Sequence, residues 1–138
     1  MNAIEVRQYM SEAWKIRKEL RAKLNAMEEL RSLAEKTTAS YSLTPGGQSE
    51  GSSKVENYAI RIVEMQQDMD DCIDNLWKHQ KEVQRLIEMA SDPIQRAILT
   101  EYHLNGKKCE VVADEVGYSD RHVRYLMDLA YKEIASKT

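Results

Sequence analysis

The sequence predicts an all-α fold, in which a long hairpin of two helices precedes a smaller C-terminal cluster of three helices. Two observations lead to this prediction. The 138 residues include only five Gly, two Pro and no Phe, whereas residues that favour helices are abundant. Apolar residues also recur at steps of three and four along two long segments, which places them on one stripe of each helix.

Residues 2–36 form the first long segment. Its apolar stripe consists of Tyr9, Ala13, Ile16, Leu20, Leu24, Met27, Leu30 and Ala34. A helix of this length extends roughly 50 Å. That is too long for a lone globular helix and is typical of a coiled-coil arm.

Residues 37–53 change in character, with the sequence TTASYSLTPGGQSEGSS. Ser, Thr and Gly dominate, and no apolar periodicity is present. Such a composition buries too little apolar surface to offset its ordering entropy. We therefore expect a flexible connector at this place, of a length unusual in a compact domain.

The second long segment covers residues 54–90. Its stripe consists of Tyr58, Ile62, Met65, Met69, Ile73, Leu76, Val83, Ile87 and Ala90. A gap falls at His79 and Gln80, and a polar residue in such a seam often sets the number of partners. Two helices of similar length predict an antiparallel hairpin over residues 1–90. Because two helices make a thin core, we expect a homo-oligomer, with a dimer of hairpins forming a four-helix bundle. Trp14 and Trp77 are expected to pack at the margin of the hairpin.

Residues 91–138 contain start and stop signals for three shorter helices. Asp92 and Pro93 suit the cap and first position of a helix that stops at Asn105 and Gly106. A second helix is predicted over about 109–116. The third is predicted over 120 to about 135, with Ser119 as its cap and Val123, Leu126, Met127, Ala130 and Ile134 on its buried face.

The spacing within these residues is typical of a helix-turn-helix. Ala113 is small where the second and third helices are expected to cross, and Gly117 permits a left-handed backbone in the turn. Val123 lies ten residues after Ala113 and anchors the third helix. A generic three-helix cluster is the alternative. The complete pattern, G-x-x-x-E-x-V-A-x-x-V-G-x-S-x-x-x-V, favours the helix-turn-helix.

The stretch ILTEYHLNGKKCEVVADEVGYSDRHVRYLMDLAYKEIA resembles region 4 of RNA polymerase sigma factors. The whole chain is also similar to a family of small uncharacterised proteins from phages and prophages of low-GC Gram-positive bacteria, related to ArpU-type phage transcriptional regulators. The E-E-L-R-S-L-A stretch, the Ser/Gly loop, the S-D-P start and the G-Y-S turn carry this similarity. The resemblance implies a transcriptional role. Lys108 and Cys109 depart from the pattern, which has a better helix cap and an aromatic residue at these positions.

If the third helix enters the major groove of double-stranded DNA, its exposed residues contact base edges and phosphates. The predicted DNA-binding residues are Lys107, Lys108, Ser119, Asp120, Arg121, His122, Arg124, Tyr125, Asp128 and Lys132. Arg121 and Arg124 suit guanine or phosphate, and Lys107, Lys108 and Lys132 suit phosphate. The alternative is that these side chains form only the solvated face of an amphipathic helix.

Charge argues against strong DNA binding, since the net charge is −3 and DNA-binding modules are usually basic. Asp120 and Asp128 would lie near phosphates. An adaptor that binds RNA polymerase or another regulator is therefore a second hypothesis, and a structural phage assembly protein is a third. Salt-dependent binding that is lost on replacing Arg121 and Arg124 would distinguish DNA binding from both.

Other classes have little support in the sequence. No Gly-rich phosphate loop, nucleophile elbow or zinc-protease motif occurs, so we expect neither an enzyme nor a cofactor. Cys72 and Cys109 lack metal-ligand spacing, and the acidic run from Asp68 to Asp74 is expected to form a solvated face. No apolar run is long enough to cross a bilayer, so we expect no membrane partner and a cytoplasmic location. The phage resemblance implies that this is the cytoplasm of a bacterial host.

Overall fold

The computed structural model describes the backbone of residues 1–43 and 48–138, and the side chains of residues 1–37 and 53–138. The all-α prediction is confirmed, since the described backbone contains helices and no strand. Five α-helices follow one another: α1 (Ala3–Leu43), α2 (Gln48–Ile87), α3 (Pro93–Leu99), α4 (Cys109–Val116) and α5 (Asp120–Lys137). A π-helical turn, Thr100–Leu104, continues α3.

The predicted connector over 37–53 is wrong at both of its ends, where α1 continues to Leu43 and α2 begins at Gln48. Nothing in residues 37–43 breaks a helix, and the Thr37 hydroxyl donates to the Leu33 carbonyl one turn earlier, at 2.9 Å. A single interior Gly, such as Gly51, costs a helix only about 1 kcal/mol. The central part of the predicted connector, including Pro45, lies outside the described residues.

The chain divides into two compact units. Unit 1 comprises Met1–Arg17 and Leu76–Thr138, and unit 2 comprises Lys18–Asn75. The predicted boundary between residues 90 and 91 therefore does not coincide with this division. The N-terminal turns of α1 and the C-terminal turns of α2 belong to the same unit as α3, α4 and α5.

Unit 1 has a single apolar core to which all five helices contribute. Val6 and Met10 of α1, both missed by the predicted stripe, are fully buried. They cluster with Val83, Leu86, Ile87, Ala90, Ile98, Leu99, Val112, Ala113, Val123, Met127, Ala130, Tyr131 and Ile134. In its first turns, α1 therefore buries positions outside the predicted stripe, because these turns pack on the C-terminal helices.

The two tryptophans do not have the packing that their spacing predicts. Trp14 is 62% exposed and Trp77 is 59% exposed. His79, at the polar gap in the predicted stripe of α2, is instead buried. Its ring lies 4.7 Å from that of Tyr9, between ring centroids, so a polar side chain fills a core position of unit 1.

Unit 2 has few buried side chains. Met27 and Leu30 of α1 and Met69 and Cys72 of α2 are buried among its described residues. Lys23 bridges the helices, with its amine 3.5 Å from Asp68 and 3.4 Å from Glu19 of its own helix. Two members of the predicted stripes, Leu24 and Ile73, are instead among the exposed large apolar side chains.

Helix α3 begins where the sequence predicts. Asp92 caps it by accepting from the Ile94 amide at 2.9 Å, and Pro93 occupies the first position. The Asn105 amide bonds to the Thr100 carbonyl five residues earlier, which is the signature of a π-helix. The chain then turns at Gly106, where φ is +70°.

Candidate nucleic-acid interface

The short turn between α4 and α5 determines how the two helices cross. The amides of Gly117 and Tyr118 both donate to the Ala113 carbonyl, each at 3.0 Å, and these bonds close the end of α4. Gly117 has φ +76° and ψ +26°, in the left-handed region that favours glycine. An added Cβ at this position would meet no atom within 4 Å, so the backbone angle alone explains the glycine.

The starts of the two helices are capped differently. The Ser119 hydroxyl accepts from the His122 amide at 3.2 Å and so caps α5 as predicted. Lys108 precedes α4 and makes no side-chain cap, which fits its low rank among capping residues. Helix α4 has the predicted bounds, and α5 continues to Lys137, two residues beyond the predicted end.

Helix α5 has one buried face and one exposed polar face. Val123, Met127, Ala130 and Ile134 are buried as predicted, Leu126 is half-buried, and Tyr131 adds a buried aromatic residue that the prediction missed. The exposed predicted DNA-binding residues of α5 are Arg121, His122, Arg124, Tyr125, Asp128 and Lys132. Ser119 is exposed and Asp120 is half-buried. We call these six residues, together with Ser119 and Asp120, the α5 face.

The imidazole of His122 lies between two tyrosine rings. Tyr118 meets it edge-on, with centroids 4.8 Å apart, and Tyr125 stacks at 6.1 Å with an interplanar angle of 27°. Tyr125 is 57% exposed. The three rings therefore form an exposed aromatic cluster, which can pack on a thymine methyl group while His122 or Tyr125 donates to a phosphate.

Lys107, one of the predicted phosphate contacts, already has two partners within the protein. Its amine forms ion pairs with Glu101 and Glu115, the latter at 2.7 Å. The hydrogen bond with Glu101 raises the pKa of Lys107 and lowers that of the Glu101 carboxyl. Lys108 is exposed and has no ion-pair partner among the described side chains. The structure thus leaves Lys108, rather than Lys107, available to a phosphate.

The structure brings Arg7 to the α5 face, which the sequence did not predict. A groove of about 280 Å³ is lined by Arg7 of α1 together with Arg124, Asp128 and Tyr131 of α5. Neither arginine has an ion-pair partner among the described residues. No local signal marks Arg7, because its proximity to α5 depends on the packing of α1 in unit 1.

Behind the α5 face, a buried polar pair joins the π-helical turn to α5. His103 Nε2 lies 2.7 Å from the Tyr131 hydroxyl. Desolvation by burial lowers the pKa of His103 to about 4 and raises the pKa of Tyr131. Burial also lowers the pKa of His79, and no hydrogen-bond partner is described for His79 Nε2. The core of unit 1 therefore favours neutral histidines.

The described residues contain neither a metal-binding cluster nor a membrane-spanning helix. No group of three or more His, Cys, Asp or Glu side chains in that part of the chain has the geometry to hold a metal ion. Among the helices described, none combines the length and apolar character needed to span a membrane.

None of the protein-family models, curated proteins or solved structures compared with this chain matches it.

Proposed function

We propose that the protein is a DNA-binding transcriptional regulator of a phage or prophage, which reads double-stranded DNA through the α5 face. The single observation that carries this proposal is the arrangement of α4, the left-handed Gly117 turn and α5, with polar side chains along the outer side of α5. A helix presented in this way fits the major groove. The resemblance to sigma factor region 4 supports the same role and a place in the bacterial cytoplasm.

The proposed DNA contacts divide into base-reading residues and phosphate-binding residues. Arg121 and Arg124 lie in the first half of α5, where recognition helices contact bases, and each can bind the O6 and N7 atoms of guanine. Lys108 and Lys132 suit phosphates on either side, with Arg7 as an added cation. The carboxylates of Asp120 and Asp128 repel nearby phosphates, and a cytosine amino group is a suitable partner for Asp120.

The charge of unit 1 implies modest affinity for a single copy. Unit 1 contains thirteen Lys and Arg against twelve Asp and Glu. The outer side of α4 is acidic, since Glu110, Asp114 and Glu115 are exposed. Because phosphate contacts supply most of the non-specific affinity, a molecule with so few available cations needs a second copy to bind tightly.

Unit 2 offers a surface for that second copy. Its described residues bury only four apolar side chains, whereas Ile60 is 57% exposed and Val63 is 59% exposed one turn away. Pairing two such hairpins covers these side chains and thickens the core. We propose a homo-oligomer formed through unit 2.

The protein should sediment as a dimer at tens of micromolar, and Ile60→Lys with Val63→Lys should give a monomer. The Ile94→Lys variant in unit 1 is the control. A monomer of the natural protein contradicts this part of the proposal.

The DNA-binding proposal is tested by selecting duplexes from a random pool and measuring affinity by fluorescence anisotropy. We expect Arg121→Ala with Arg124→Ala to lower the affinity at least about 30-fold, since each of the two bidentate guanine contacts is worth about 1–3 kcal/mol. The matched control is Arg21→Ala with Arg31→Ala, which removes two exposed arginines from unit 2. Equal loss in both double variants would show only a charge effect and would contradict reading by α5.

The adaptor hypothesis predicts a different pattern. An adaptor binds its protein partner with little dependence on salt and shows no selected DNA sequence. We propose neither catalytic residues nor a cofactor or metal for this protein, and RNA polymerase is a candidate partner under both hypotheses. Selection of no sequence by a folded protein would favour the adaptor.

A further inference from the structure

Unit 1 contains a second concave site, on the side of α1 that faces the Gly106 turn. This pocket has a volume of about 400 Å³, within the range of small-molecule sites in proteins. Trp14, Lys15 and Arg17 of α1 form one wall, and Tyr102, Gly106 and Lys108 lie on the other. No residue of the α5 face lines it.

The wall formed by the Gly106 turn is held in place. Arg17 donates from its guanidinium to the Leu104 carbonyl. Gly106 has a left-handed φ of +70°, which favours glycine, and the flexible end of the Arg17 side chain lies against it. Because the turn is fixed to α1, the pocket is a built feature of the fold and does not depend on a mobile segment.

The charge of the pocket is entirely positive. Its lining includes Lys15, Arg17, Lys107 and Lys108 but no Asp or Glu. Arg17 is bound to the Leu104 carbonyl and Lys107 to two glutamates. Lys15 and Lys108 are exposed, and neither has an ion pair among the described side chains. These two lysines line the same pocket from α1 and from the Gly106 turn.

The pocket also exposes flat aromatic surface. Trp14 lines this pocket and is 62% exposed. Tyr102 lies on the opposite wall. Exposed aromatic faces next to cations are the elements with which proteins stack a base and hold its phosphates.

We propose that this pocket binds a free mononucleotide, with the base stacked on Trp14 and the phosphates held by Lys15 and Lys108. A flat ring and a multiply charged anion within one molecule match both the aromatic surface and the unpaired cations. The site goes beyond DNA reading and uses none of the residues of the α5 face. Only Lys108 is shared with the proposed phosphate contacts, so the two activities can be separated by Lys15 and Arg121.

The test uses the full chain with Trp77→Phe, which leaves Trp14 as the sole tryptophan. ATP, GTP, adenosine, pyrophosphate and a single-stranded hexanucleotide are titrated separately, and Trp14 fluorescence is recorded. We expect ATP or GTP to quench the fluorescence with saturation below about 1 mM, as a site with two charge contacts and one stacked base should. Adenosine and pyrophosphate should each bind at least about tenfold more weakly, since each retains only half of the contacts.

Variants give the second readout. Lys15→Ala with Lys108→Ala should weaken ATP binding about tenfold or more, whereas Lys36→Ala with Lys54→Ala in unit 2 should not change it. Trp14→Ala, with binding followed by calorimetry, should abolish saturable binding while helical circular dichroism stays unchanged. Arg121→Ala with Arg124→Ala should bind ATP normally, and Lys15→Ala should bind DNA normally.

The proposal would be overturned if neither ATP nor GTP saturated the quenching up to 10 mM, about ten times the expected limit. Equal quenching in the Lys15→Ala/Lys108→Ala and Lys36→Ala/Lys54→Ala variants would also overturn it. So would binding of the hexanucleotide alone. The last of these would assign the pocket to a nucleic-acid strand. None of them affects the proposal that α5 reads duplex DNA.

Discussion

Units 1 and 2 share the two long helices α1 and α2, yet they differ in core and charge. Unit 1 buries side chains from all five helices, whereas the described part of unit 2 buries four apolar side chains. Unit 1 is close to neutral, and unit 2 contains seven Lys and Arg against eleven Asp and Glu. The same helices thus anchor a packed core at one end of their sequence and form a thin, acidic hairpin at the other.

A helix therefore gains its stability locally, from the side chains that it packs against. The first turns of α1 bury Val6 and Met10 against the C-terminal helices, while residues later in α1, such as Leu24 and Leu33, remain exposed. Unit 1 should therefore set the stability of the folded chain, and unit 2 should gain most from a second copy.

Removing a core side chain of unit 1 should cause the largest loss in the free energy of unfolding. Leu86 is fully buried, so Leu86→Ala removes apolar contacts and leaves a cavity, at a cost of about 2–5 kcal/mol. Leu33→Ala in unit 2, where the side chain is 39% exposed, should cost less than about 1 kcal/mol. Urea denaturation followed by circular dichroism measures both free energies of unfolding. Equal losses would mean that the two units do not differ in packing as described.

A second effect comes from pH. The pKa of His103 is lowered by burial to about 4, and an unfolded histidine titrates near 6.5. Between these values the unfolded chain binds a proton that the folded chain does not, so stability is highest above pH 6.5 and falls as pH decreases towards 4. The full loss is about 3 kcal/mol for this residue, and His79 adds to it in the same direction.

Urea denaturation between pH 4 and 7 tests this linkage. The His103→Gln variant should show a smaller decrease in stability with falling pH, whereas His122→Gln, which changes an exposed side chain, should keep the natural decrease. The same pH dependence in the natural and His103→Gln chains would show that the buried pair is not responsible.

Much of the C-terminal part could be predicted, because its signals are local. A capping Ser119 and a left-handed Gly117 define the ends of α4 and α5 through bonds to near neighbours in sequence. The burial of Val6 and Tyr131 and the proximity of Arg7 to Arg124 could not be predicted. They depend on how α1 packs on α5, which no periodicity within one helix reveals.

Composition was a poor guide over residues 37–43 and at the tryptophans. The Ser- and Thr-rich residues 37–43 extend α1, because the i to i−4 hydrogen bonds of a helix already begun are favourable even for residues of average propensity. Trp14 and Trp77 have helical spacing but are exposed. Likewise, Lys107 has the right residue type for a phosphate contact, yet Glu101 and Glu115 already bind it.

A third, smaller effect tests the turn. Gly117→Ala forces a residue with a Cβ into φ +76°, at a cost of about 1–2 kcal/mol. Gly117→Asn should cost less, since Asn tolerates the left-handed region. Thermal unfolding ranks the two variants. An alanine variant as stable as the natural protein would mean that the turn can adopt another backbone conformation.

The smallest effect separates the two lysines that precede α4. Lys108→Ala should lower the slope of log affinity against log salt by about 1, as expected for one phosphate contact. Lys107→Ala should change this slope less, because its amine pairs with Glu101 and Glu115. Anisotropy titrations on one selected duplex at several salt concentrations measure both slopes. A larger change for Lys107 would reverse the assignment.

We propose that unit 1 reads DNA through the α5 face. The most direct test of this proposal is the affinity of the purified chain for a selected duplex and for a scrambled duplex, each at 50 and 200 mM salt. With three phosphate-binding cations in each copy and two copies bound, the affinity should fall on the order of 1,000-fold over this range, and the selected duplex should bind at least about 1,000-fold more tightly than the scrambled one at the higher salt. Equal affinity for both duplexes, or no binding by a folded protein at 50 mM salt, would contradict the claim.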